Sequence, residues 1–140
     1  IDQEIAESLK RILDHCNNNS VPIDKFNLHT AFSEVILNAW NHGNRKDPAK
    51  PIRVRWWLSN DLNIEITDQG TGFVFATDEN PRRKTNLTKE SGRGIFLVKK
   101  ICDSARWFDG GNRVIISFNS NSCSWGQRPQ KTKTSSFKLW

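Results

Sequence analysis

The chain's 140 residues suffice for one domain with a core, and 36% apolar against 26% charged residues is a globular composition rather than a disordered one. There is no run of eighteen apolar residues and no signal-peptide pattern, which argues against a membrane protein. The formal charge of +6 is carried by the C-terminal end: no acid follows Asp109, while Arg113, Arg128, Lys131, Lys133 and Lys138 all do, so the body is near neutral.

Ile5, Leu9, Ile12, Leu13 and Cys16 recur at helical spacing and predict a first amphipathic helix, ended by Asn17-Asn-Asn-Ser20. Pro22 and Asp24 lead into a second. There Leu28, Ala31, Phe32, Val35, Ile36 and Ala39 form one apolar stripe. At about 100° per residue, Glu34, Asn38 and Asn41 fall on a strip beside it, so one flank offers a carboxylate and two carboxamides at the edge of the core. The helix is expected to stop at His42-Gly43, with the glycine as a left-handed cap. Arg45 to Pro51 is a loop containing two prolines.

Ile52 to Leu58 alternates apolar and basic residues, as a half-buried strand does, and a turn at Ser59-Asn-Asp joins it to a second strand, Leu62 to Thr67. Trp56 and Trp57 should point to opposite faces. The second strand runs into Asp68-Gln-Gly70-Thr-Gly72-Phe73, an acid followed by two spaced glycines, where backbone can approach a ligand closely. Ala76 to Lys89 is polar and without periodicity, as lids and binding loops often are. Ser91-Gly92-Arg93-Gly94 then opens a predicted helix, Gly94 to Ala105, whose free N–H groups would favour an anion. Arg106 to Phe118 is a hairpin with Gly110-Gly111 at its turn, and residues 119–140 show little pattern.

A helix with Glu and Asn, then Asp-x-Gly-x-Gly, then Gly-x-Gly before a helix is a specific order. On Glu34-Val-Ile-Leu-Asn38-Ala-Trp-Asn-His42-Gly43-Asn44, Asp68-Gln-Gly70-Thr-Gly72-Phe73 and Gly92-Arg-Gly94-Ile95, the chain resembles a GHKL (Bergerat-fold) ATP-binding domain over roughly residues 5–118. Within that superfamily it is most similar to bacterial anti-sigma-factor serine/threonine kinases. Histidine kinases usually carry Asn where Glu34 stands.

The resemblance implies an α+β fold, a two-layer α/β sandwich with a mixed, mainly antiparallel sheet and helices on one face. The ATP-binding kinase domain would be residues 1–120, followed by a basic tail at 121–140. It implies ATP and Mg²⁺ as cofactors, with Asn38 as metal ligand and Glu34 as catalytic base. Asp68 would read adenine, and Gly70 and Gly72 would let the backbone close over the base. The nucleotide site would further draw on Asn41, His42, Gly43, Phe73, Lys89, Ser91, Gly92, Arg93, Gly94 and Ile95, with 76–89 as the ATP lid. Family members often carry arginine where Glu90 stands here, which leaves Lys89 and Arg93 as candidate phosphate cations.

The implied activity is phosphorylation of a small anti-sigma antagonist. The implied partners are that antagonist, a sigma factor and, as a further assembly, a homodimer. The alternatives are a non-catalytic nucleotide-binding partner-switching module or the ATP-binding domain of a histidine kinase; nucleic-acid binding rests only on the tail. No P-loop signature occurs. Cys16, Cys102 and Cys123 have no metal spacing, and an odd, unpatterned count suits a cytoplasmic protein. His15 and His29 are expected to be structural. A chain that opens at Ile1 and holds no methionine is expected to be trimmed, or one domain of a longer protein.

Overall fold

A computed structural model describes residues 1–71, 89–119 and 134–138, the side chains of 89–92 and 134–138 excepted. The expected lid below Lys89, Gly72, Phe73 and Cys123 lie outside the described residues. The elements run α1 (Asp2–Asn18), α2 (Lys25–Asn38), a π-turn (Ala39–Gly43), β1 (Arg53–Leu58), β2 (Asp61–Thr67), α3 (Lys89–Ile101), β3 (Ser104–Phe108), a 3₁₀ turn (Asp109–Gly111), β4 (Arg113–Asn119) and β5 (Thr134–Lys138).

The sheet order is β3-β4-β2-β1-β5, and all four described pairings are antiparallel. Strand alternation decides the faces. Val54, Trp56 and Leu58 pair with Ile66, Ile64 and Leu62, which pair in turn with Val114, Ile116 and Phe118. That face is buried against Ile5, Leu9, Ile12 and Cys16 of α1, Leu28, Phe32 and Ile36 of α2, and Val98 of α3. The chain is thus an α+β two-layer sandwich with its helices on one face. Trp56 is buried and Trp57, on the other face, is half-buried. No described helix is long and apolar enough to cross a membrane.

Local chemistry sets the ends of the helices. Asp24 caps α2 by accepting from the Asn27 N–H at 3.0 Å, an interaction typically worth about 1 kcal/mol. After α1, Ser20 turns the chain with a left-handed φ of 56°. His15, which shows no partner by spacing, accepts a hydrogen bond from Trp56 Nε1 at 2.9 Å and so ties α1 to β1. His29 is exposed on α2. Cys16 and Cys102 are buried, and burial raises their thiols to about 11 and about 12 respectively.

Two expectations are corrected. Gly43 is not a left-handed cap: α2 passes into a π-turn, and the left-handed residues are Arg45 and Lys46, at φ 54° and 58°. The last helix spans Lys89–Ile101, not 94–105, so Gly92-Arg93-Gly94 lies within its first turns rather than ahead of it. Glycine is a weak helix former, but Gly94 faces α2 where a Cβ would crowd Glu34. The helix ends early because Asp103 joins the sheet: its N–H donates to the Ser117 carbonyl at 3.0 Å and its carboxylate accepts from the Asn119 N–H at 2.6 Å. Thr134–Lys138, within residues 121–140, pairs with β1 as an edge strand.

Candidate functional site

Three backbone turns meet at one end of the sheet. The first is the π-turn, closed by the Asn44 N–H donating to the Ala39 carbonyl at 2.7 Å. Such i→i+5 turns are rare and often sit at functional sites. Its smaller angular step per residue, in a wider turn, displaces Asn41 and His42 from α-helical positions, and both are half-buried. The second turn follows β2. The Asp68 N–H extends the ladder by donating to the Asn112 carbonyl at 2.9 Å, and Asp68 Oδ1 accepts from the Gly70 N–H at 2.8 Å. The third is Asp109 to Asn112, where Asp109, Gly110 and Gly111 all have positive φ.

Asparagine side chains hold the turns together. Asn44 is fully buried, its Oδ1 accepting from the Gln69 N–H at 2.7 Å and its Nδ2 donating to the Lys50 carbonyl at 2.6 Å. Asn112 Nδ2 donates to the Gly70 carbonyl at 2.9 Å. The two glycines permit the close approach: a Cβ on Gly43 would overlap the Asp68 carboxylate, and one on Gly70 would overlap the Gly43 carbonyl.

Between the turns lies a cleft with apolar walls from Val35, Ile66 and Val114, the indole of Trp107 beside them, and polar groups from Asn38, Asp68 and Asn112. Asp68 is only 6% exposed. Burial raises its carboxyl above the ordinary aspartate range, and the Gly70 N–H offsets part of that rise. Asn112 Oδ1 is buried and has no hydrogen-bond partner among the described residues, an uncommon condition for a buried acceptor. Apolar walls around an acidic acceptor and an amide oxygen match a ligand group that brings N–H donors, in a space of about 10 Å³ among the described residues, room for one water-sized group.

Of the residues singled out by the sequence, Asn38 and Asp68 come together in this cleft, with Gly43 and Gly70 behind Asp68. Glu34 is one turn back on α2, half-buried against Gly94: its Oε2 lies 2.7 Å, and Asn38 Nδ2 3.4 Å, from the position a Gly94 Cβ would take. Arg93 is exposed and Ile95 is buried. Lys89, Ser91 and Gly92 belong to α3 by backbone alone.

Sequence reasoning missed Asn44 and Asn112 as parts of the site. Asn44 closes the quoted helix motif and Asn112 follows Gly110-Gly111, but their roles are hydrogen bonds across 25 and 42 residues, which spacing does not reveal.

No curated protein and no solved structure matches the chain. The family described as "Histidine kinase-like ATPase domain" matches residues 3–118, nearly the whole described body, including the cleft and all three turns. The chain belongs to that family: it is a GHKL-type ATP-binding domain.

Proposed function

We propose that this chain is an ATP-dependent protein serine/threonine kinase that acts as an anti-sigma factor, phosphorylating an anti-sigma antagonist and binding a sigma factor in a partner-switching system. The observation that carries this reading is the placement of Glu34 on α2 one helical turn before Asn38, whose side chain lines the cleft. Their spacing of one helical turn, about 6 Å of rise, suits a base next to a metal ligand.

The residues fit the nucleotide. Asp68 and the unanswered Asn112 Oδ1 would accept from the N–H edge of adenine, between the walls of Val35, Ile66 and Val114. Asn38 Oδ1 would hold Mg²⁺, which takes few protein ligands. Bound there, the ion would neutralise phosphate charge. Glu34 would take the proton of the attacking serine or threonine hydroxyl on its carboxylate. Arg93, exposed on α3, is the described cation nearest in sequence to the Gly94 contact. Residues 1–120 would carry this activity, in the cytoplasm.

Transfer of label from γ-labelled ATP to co-purified proteins, with and without Mg²⁺, tests the proposal: a Mg²⁺-dependent labelled serine or threonine supports it. A second reading, a nucleotide-binding partner switch without transfer, is favoured by Glu34 lying against Gly94 rather than lining the cleft. It expects nucleotide binding and no labelled partner.

A further inference from the structure

The sheet face turned away from the helices has a composition of its own. By register, Arg53, Thr67, Arg113 and Phe108 form one row across four strands, and Arg55, Glu65, Ile115 and Arg106 form the next. Adjacent strands are about 4.8 Å apart and alternate residues about 6.7 Å apart, so these rows make a patch of roughly 14 by 7 Å. It holds four arginines. Within the two rows the carboxylates are Glu65 and, at the rim, Asp109, and Asp61 lies two rows further along the same face of β2. Arg53, Arg55 and Arg106 are exposed, and among the described residues no helix covers this face.

The patch is ordered from within. Glu65, 8% exposed, lies 3.4 Å from Arg55 Nε and 3.2 Å from Arg113 Nη1. Arg55 also leans on the Trp57 ring at 6.0 Å, and Arg113 on Phe108 at 4.6 Å. One buried carboxylate thus fixes two guanidinium groups without neutralising the set. Guanidinium forks pair with carboxylates in two-point geometry, and holding them in place beforehand lowers the ordering cost of binding.

We propose that this face docks a protein partner through a cluster of Asp and Glu side chains. A second copy of the same face is excluded by charge, since arginines would meet arginines. Single-stranded nucleic acid suits it less: bases stack on open aromatic rings, whereas Trp57 and Phe108 each carry a guanidinium, and the cations form a compact block rather than a track. The surface is the sheet face opposite the helices and meets the cleft only at the Asp109 turn, and the inference does not depend on the kinase reading.

Fluorescence anisotropy tests it, using a labelled peptide with a run of eight Asp and Glu residues, the same peptide with Asn and Gln in their place, and a twenty-nucleotide oligo-dT. Wild-type protein is compared with an Arg53→Gln/Arg106→Gln double variant whose ATP affinity and melting temperature serve as fold controls. The acidic peptide is expected to bind more tightly than both other probes. The double variant should lose about tenfold or more in that affinity, the size of two weakened charge-assisted hydrogen bonds. Equal affinity of the variant for the acidic peptide, which the C-terminal cations alone would produce, overturns the proposal. So does tighter binding of oligo-dT, which would make the face a nucleic-acid surface.

Discussion

Gly43 and the carboxylate of Asp68 meet with no room for a methyl group between them. The contact fixes where the π-turn may sit relative to the end of β2, and with it the acid at the cleft. Gly43→Ala should cost about 1–3 kcal/mol of stability, the usual penalty of overpacking, and should also weaken ATP binding by displacing Asp68. Denaturant midpoints and calorimetry measure the two effects. Full stability and full affinity together would mean that the turn has slack this packing denies.

Asn44 is expected to be the more severe lesion. Asn44→Ala leaves the Gln69 N–H and the Lys50 carbonyl without their partner in a fully buried place. Each abandoned group costs about 1–3 kcal/mol, so a loss of roughly 2–6 kcal/mol is expected from chemical denaturation. Asn44→Asp keeps the acceptor for Gln69 but sets a buried carboxylate against the Lys50 carbonyl, so at neutral pH it should be at least as costly as Ala. Wild-type stability in either variant would sink the assignment.

Asp68 gives a prediction with a pH signature. Burial raises its folded carboxyl above the unfolded value, so the fold favours the protonated form. The stability this contributes is fully present below the unfolded value and is lost as pH rises through the raised folded value. Wherever this carboxyl is ionised the fold holds a buried charge, which Asp68→Asn removes while keeping an Oδ1 acceptor for the Gly70 N–H. The variant should be more stable than wild type at pH 7, with the gap closing toward acid, yet it should bind ATP more weakly. Stability gained and binding lost is the pattern of a functional rather than a structural acid. Thermal melts across pH, beside ATP titrations, check both halves.

Much of this was legible because it rests on local periodicity. The stripe of α2, the alternation of β1 and β2, and the Gly110-Gly111 hairpin each follow from a pattern within a few residues. The place of Asp68 at the end of β2, beside close-packed glycine backbone, was legible from an acid closing a strand before spaced glycines. The parts that were not legible depend on tertiary contact. Nothing local says that α2 widens to a π-turn, since that turn is held by Asn44 reaching Gln69 and Lys50. Gly92 and Gly94 resemble a pre-helical turn until the packing of Gly94 on Glu34 is seen. β5 has no periodicity of its own and takes its conformation from the edge of β1.

The central claim is that Glu34 acts as the base for phosphoryl transfer from a site marked by Asn38 and Asp68. Single-turnover phosphorylation of the antagonist by Glu34→Gln tests it most directly, because the substitution keeps size and polarity and removes only the basic oxygen. The account expects ATP affinity to stay at the wild-type level while the transfer rate falls by about 10² to 10⁴, the usual worth of a positioned base. Transfer at the wild-type rate would contradict it.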